Sequence, residues 1–355
     1  MSVYKNAFRV LSRDPKWGMG QIRRSGGIVV GAFFYYSGLV RLTRWLMQRT
    51  KPNLIILNYH RASGGDLRRH LLYLRRHYRM LHLEEALEEL YTPGGVSAQD
   101  RRTPLVLTFD DGYLDNYTHA FELACELEVP ITVFLIPGYL ESGAHFWWGE
   151  GSRLVRHASA REVAFAGRNY CLESPKERAE LTGVIDGKLR HAASVEEREA
   201  CLAQVHSLLV VPETEATRDE QYRPMTWDQV IKMQESGWVS FGGHTMHHPI
   251  LSNLSDPEEV RAEVAECRKT LQERLGGPVR AFAYPIGKNM DIGEEAIKAV
   301  QAAGFAWAVT TNQGVNTPQD DPYQLKRVLG EVNRHWLVMA AELSGVWNFF
   351  SAIWK

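Results

Sequence analysis

"PLVLTFDDGYLDN" (residues 104–116) runs a largely apolar stretch straight into two adjacent aspartates and a glycine. A continuous apolar run of this length, closed by glycine, reads as a strand buried on both faces, the kind that builds a parallel sheet. Its end places Asp110 and Asp111 at a sheet edge, where two carboxylates are costly unless a metal, a proton or hydrogen bonds compensate them. The stretch therefore predicts an architecture and, with it, a cationic partner.

Similar short runs recur on either side: "LIILNYH" (54–60), "ITVFLI" (131–136), "WVSFGGH" (238–244), "AFAYP" (281–285) and "AWAVTT" (306–311). Between them lie "YTHAFELACELE", "TWDQVIKMQESG", "DPEEVRAEVAECRKTLQERLG" and "GEEAIKAVQAAG", with apolar residues three and four apart as an amphipathic helix requires. Thr226 with Gln229 forms a capping box, Asp256 with Pro257 starts a helix, and Gly237 and Gly276 stop two. Strand alternating with helix predicts an α/β fold whose parallel sheet is either a barrel or an open doubly wound sheet. The stretch from about 151 to 224 is polar and helix-prone and ends in "PETEATRDEQYRP", so it reads as an inserted lobe followed by a linker.

The 355 residues, 45% of them hydrophobic, suffice for one large α/β domain with extensions. Lys and Arg total 41 against 42 Asp and Glu, so no global basic field favours nucleic acid as a partner. Cys125, Cys171, Cys201 and Cys267 show no CxxC spacing and read as buried thiols rather than a disulfide frame. Residues 1–52 form a basic extension: Lys5, Arg9, Arg13, Lys16, Arg23 and Arg24 face Asp14 alone, and "GGIVVGAFFYYSGLV" (26–40) and "RLTRWLMQRTK" (41–51) follow. The apolar run is shorter than the ~20 residues a spanning helix needs and lacks a small-residue cleavage site, which argues against a cleaved signal peptide. One long amphipathic helix, lying on a membrane surface or docked on the protein, is the expectation, and with it a cytoplasmic or membrane-associated location. Residues 331–355, with "LVMAAELSGVWNFFSAIW", present the same choice between a closing helix and a second interfacial patch.

Parallel α/β folds gather chemistry at the C-terminal ends of their strands. His60, Asp110 with Asp111, His244 with His247 and His248, and the turn at Pro285 and Ile286 all fall at such ends. His244 and His248 are four apart, a spacing that brings two imidazoles to one side of a turn. With one aspartate they supply three metal ligands and leave positions open for water and substrate, the mark of a catalytic rather than a structural site. The second aspartate then has work as the acceptor of a proton from water.

"TFDDGY", "GGHTMHHP" and "FAYPIG" in this order, with "ILNYHR" upstream and "FWW" (146–148) between, resemble the polysaccharide deacetylase family, or NodB-homology domain, over residues 53–330. The resemblance implies a distorted (β/α) barrel and metal-dependent removal of N-acetyl, sometimes O-acetyl, groups from a polysaccharide or oligosaccharide; a cell-envelope polysaccharide or exopolysaccharide is the expected substrate, or its lipid-linked precursor if the terminal helices face a membrane. It implies Asp110 as catalytic base, Asp111, His244 and His248 as ligands of a divalent metal, with zinc the expected ion, and the backbone N–H of Ile286 as oxyanion donor. His247 becomes a supporting or exposed residue, and Arg280, just before "FAYP", either orients Asp110 or sits in solvent. No downstream histidine matches the family's general acid, since His335 falls in the closing helix; His60 is the alternative, with a packing role equally open.

Ile286 stands where tyrosine is common in the family, and the downstream tryptophan motif is absent. Trp147 and Trp148 either stack on sugar rings or pack the lobe on the barrel. A glycosidase using Asp110 and Asp111 is disfavoured, because neighbours on a strand point apart and such pairs come from separate segments. A non-catalytic carbohydrate-binding or scaffold component of a polysaccharide assembly system is the other reading.

Overall fold

The computed structural model describes residues 17–49, 53–92, 100–211 and 222–346. Its contacts divide into two units, residues 51–332 and, separately, residues 1–50 with 333–355.

The larger unit is a closed barrel. Seven strands are hydrogen-bonded in the order β1 (Ile55–Tyr59), β10 (Leu325–Leu329), β9 (Trp307–Gln313), β8 (Ala281–Ala283), β7 (Val239–Gly243), β4 (Ile131–Leu135) and β3 (Pro104–Phe109). Pairing of β3 with β1, from Ile55 opposite Leu105 to Tyr59 opposite Phe109, closes the ring. All of these pairings are parallel, and β2 (Arg79–Met80) adds beside β3. Every residue of β1 and β4 is buried, which is why they read as unbroken apolar runs. The barrel settles the alternative that periodicity left open. β10 was not foreseen: "LKRVL" looks like a solvated strand, yet Leu325 and Arg327 are both buried.

The connections behave as their punctuation indicates. Thr226 and Gln229 make the reciprocal capping box of helix Trp227–Glu235. Asp256 caps helix Pro257–Leu275, which ends at the left-handed Gly276. That helix buries Val260, Glu263, Val264, Cys267 and Leu271 on one face, so a carboxylate sits inside an apolar stripe and needs partners.

Between β4 and β7 the chain builds a lobe with its own core, in which Phe146, Trp147, Leu154, Phe165, Leu181, Ile185, Val205 and Leu209 cluster. Helices Trp147–His157, Pro175–Arg190 and Val195–Leu209 accompany an antiparallel hairpin, β5 (Glu162–Phe165) with β6 (Arg168–Cys171). The hairpin escaped a reading of this stretch as helical; Val163, Phe165 and Tyr170 alternate inward, but four-residue strands are too short to assert a period. Of the four free cysteines, Cys267 is buried and Cys125, Cys171 and Cys201 are half-buried. Residues 212–221, the greater part of the expected linker, lie outside the described residues.

In the smaller unit the expected single amphipathic helix is two, Trp17–Tyr36 and Leu39–Arg49, with the left-handed Gly38 between them. They pack with the C-terminal helix Trp336–Leu343, which His335 caps by accepting from the Leu337 N–H. Gly31 is where the helices touch: a Cβ there would stand 3.1 Å from the Leu337 backbone. Phe34, Val40, Ala341 and Val346 form the unit's core. Among the described residues no single helix is long and apolar enough to cross a membrane.

Candidate active site

Strand β3 delivers both aspartates to the barrel rim, and the backbone then turns sharply, with φ of 73° at Asp111 and 71° at Gly112. Adjacent carboxylates thereby face different groups. Asp110, 1% exposed, receives Arg327 as a fork, Nη1 to Oδ1 at 2.7 Å and Nη2 to Oδ2 at 2.8 Å, and Asn58 Nδ2 at 3.1 Å on Oδ2. Arg327 is itself fully buried and donates Nε to the Thr310 carbonyl at 2.7 Å. Burial opposes ionisation of Asp110, but the Arg327, His244 and His60 charges and the Arg327 hydrogen bonds together outweigh it, leaving the carboxyl well below its ordinary range. His60 Nε2 stands 3.9 Å from Asp110 Oδ2, on the exposed side of the rim.

Asp111 turns to the histidines instead. Its Oδ1 is 3.4 Å from His244 Nε2 and 3.5 Å from His248 Nε2, and Asp111, His244 and His248 are all buried. His244 follows β7, and its Nδ1–H donates to the Ala283 carbonyl of β8 at 2.6 Å, which leaves Nε2 as the lone-pair nitrogen aimed at Asp111. Thr245 Oγ1 ties the turn together, donating to the His244 carbonyl at 2.6 Å and accepting from His248 N–H at 2.9 Å. Burial, seconded by the neighbouring His244 charge, pushes His248 down to about 3, so this imidazole stays neutral. Burial works against a charged His244 too, but Asp111 and Asp110 outweigh it and its value rises.

These three side chains fit a divalent ion. Ligand atoms about 2.1 Å from a tetrahedral ion lie about 3.4 Å apart, and Asp111 Oδ1 makes its two closest approaches at 3.4 and 3.5 Å. Asp111 Oδ1 is also buried without a hydrogen-bond partner, an acceptor that an ion would satisfy. The ligand-donor atoms of Asp111, His244 and His248 lie within 4.8 Å of one another, and among the described residues theirs is the cluster of metal-ligating side chains.

Strain collects at the same place. Asp111, Thr245, His248 and Ile286 hold φ of 73°, 62°, 56° and 58°, costly for residues with a side chain and rarest for the β-branched pair. The Ile286 carbonyl is held by Thr311 Oγ1 at 2.7 Å.

Three further supports were not read from the sequence. Glu263, the buried carboxylate of helix Pro257–Leu275, accepts from the His247 backbone at 2.8 Å and from its Nδ1 at 2.6 Å, so His247 braces the turn that carries the histidines. Trp147 donates Nε1 to the His248 carbonyl at 3.0 Å, while the half-buried Trp148 lies 4.4 Å from the His248 ring. "FWW" thus packs the lobe, with Phe146 and Trp147 in its core, and also backs His248. Asp115, from the same opening stretch, accepts at Oδ2 from Arg61 Nε, the backbones of Ala62 and Ser63, and Ser63 Oγ, while Asn116 donates to the His60 carbonyl. Together they pin the loop that bears His60.

Arg280 does not reach Asp110. It pairs with Glu84 and Glu88 and lies 4.4 Å over the Trp307 ring; the arginine that holds Asp110 comes from β10.

Residues 200–308 match the model of the polysaccharide deacetylase family. YxkH of Bacillus subtilis (strain 168), named for polysaccharide deacetylase, is 22% identical over 291 residues, 80% of this chain and 74% of its own. Deacetylase PplD of Streptococcus pyogenes, solved with acetate, superposes with a TM-score of 0.54 at 18% identity, covering 82% of this chain and 97% of that one. IcaB from Ammonifex degensii does so at 0.52 and 20% identity, with the same coverage. At such identities the superpositions speak for the fold. Over residues 200–308 the chain thus carries the polysaccharide deacetylase match, on a barrel similar to those of solved NodB-type deacetylases.

Proposed function

We propose that the protein is a metal-dependent hydrolase that removes N-acetyl groups from a polysaccharide or oligosaccharide of the cell envelope, with zinc held by Asp111, His244 and His248. The observation that carries the reading is the ligand-like spacing of these three side chains beside a second, separately held carboxylate.

Asp111, His244 and His248 would hold the ion, which would supply Lewis acidity toward the acetamide carbonyl and the water. Asp110, held ionised and immobile by Arg327 and Asn58, accepts a proton from the attacking water. A carboxylate held this strongly is a weak base on its own, so it needs water that is already acidified. The backbone N–H of Ile286, at the strained turn after β8, is the donor proposed for the charge that would develop on the carbonyl oxygen. His60, within reach of Asp110 and open to solvent, delivers a proton to the departing amine. Acetate and a free amino sugar result.

The test is acetate release from N-acetylglucosamine oligosaccharides by the purified chain, with and without a chelator. Release that needs added metal and falls by roughly 10²–10⁴-fold in Asp110→Asn is expected. Metal bound with no release from amide or ester substrates, under several metals, would favour a carbohydrate-binding component of an assembly system.

A further inference from the structure

We infer that the smaller unit docks on an anionic lipid surface through the outer faces of its first two helices. The inference goes beyond the deacetylase reading and stands apart from it.

Helix Trp17–Tyr36 is apolar on two sides. One side is spoken for: Gly27 and Gly31 let it approach Val338 and the Leu337 backbone, Phe34 is buried, and Tyr35 meets Trp336 edge-on at 5.0 Å. The other carries Val29, Phe33 and Tyr36, spaced four and three apart, 68%, 62% and 76% exposed. Helix Leu39–Arg49 repeats the pattern: Val40 and Thr43 face inward, while Leu42, Trp45 and Leu46 are exposed at three and four spacing. Two helices that are each apolar beyond their packed face match an interfacial environment better than water.

The charge chooses the partner. Residues 1–51 contain Lys5, Arg9, Arg13, Lys16, Arg23, Arg24, Arg41, Arg44, Arg49 and Lys51 against Asp14 alone, in a chain whose formal net charge is −1. The remainder is therefore acidic, and the basic charge is concentrated in the segment that exposes the apolar face. Aromatic and aliphatic side chains beside Lys and Arg are the composition of helices that lie in a bilayer's headgroup region, and the cations favour phosphate-bearing lipids. The segments Gly26–Tyr36 and Leu39–Gln48 meet at 67°; together they have the length and composition of a broken span or a re-entrant loop, so both are at home in a bilayer, and the basic residues of the second helix hold the pair at its headgroups.

Flotation of the full chain with vesicles tests this. With phosphatidylcholine and phosphatidylglycerol together the chain should float; with phosphatidylcholine alone, or in high salt, binding should weaken. Arg41→Gln should lower partitioning about fivefold, a reading that leaves the apolar face intact. The triple variant Phe33→Asp, Leu42→Asp, Leu46→Asp should remain unbound, whereas Met290→Asp, an exposed apolar position of the larger unit, should float like the parent. A parent chain that ignores both vesicle types, or a triple variant that floats equally well, overturns the proposal. So does a dimer in solution that the triple variant dissolves while neither form binds vesicles, since the face would then be a contact between copies.

Discussion

Asp110 and Arg327 are both buried, and each is the other's compensation. Removing the arginine leaves a buried charge with Asn58 and the neighbouring imidazoles of His244 and His60 as weaker compensation. Arg327→Ala should therefore destabilise the protein by about 3–5 kcal/mol, visible as a lower urea midpoint at neutral pH. Arg327→Lys, which keeps the charge but not the fork, should fall between. The pH dependence has a definite sign. The folded Asp110 value is depressed, so its stabilisation is present above the unfolded carboxylate value of about 3.9 and is lost only as pH falls toward the lower folded value. Moderate acid should consequently spare this pair in the parent.

Among the elements, the lobe helix Pro175–Arg190 carries a carboxylate that lacks such compensation. Asp186 Oδ1 is buried without a hydrogen-bond partner, close to where a side chain on Gly151 would intrude, and burial, partly offset by the Arg190 charge, pushes its value up to about 6. A carboxyl whose folded value exceeds its unfolded one binds a proton more tightly when folded. Stability should thus decline as pH rises from about 4 to about 6 and then level off. Asp186→Asn should flatten that slope and raise neutral-pH stability by on the order of 2 kcal/mol, measured as Tm across pH. Elements also mark where sequence reasoning works. β3 and β7 were legible because apolar runs stop abruptly at residues that water or metal must satisfy, and the same stops located His60, Asp110, Asp111, His244 and His248 on one rim. β10 was not, because Lys326 and Arg327 side by side look solvated; only the knowledge that Asp110 lacked a partner could have directed attention there. The bracing by Glu263 and Trp147 was hidden for a related reason: a helix stripe and an aromatic pair reveal burial but not what they are buried against. The break at Gly38 was masked by apolar residues on both sides of it.

At the scale of the whole molecule, a ligand that binds only the closed barrel must stabilise it. Chelator-treated protein should gain about 4 kcal/mol on adding an ion at a thousand times its Kd, a rise in Tm of several degrees, and Asp111→Asn or His244→Ala should show little of this gain. Because the imidazole of His244 is raised by its carboxylate neighbours, protons compete there, and the gain should shrink as pH drops below the folded His244 value. The closing strand has a temporal corollary. Arg327 lies 217 residues beyond Asp110, and β10 seals the ring only by pairing with both β1 and β9. A nascent chain that has emerged as far as β9 holds a carboxylate in an unsealed wall with its counter-ion still inside the ribosome, so assembly of the barrel should be a late event of translation, and the unfinished chain a natural client for chaperones.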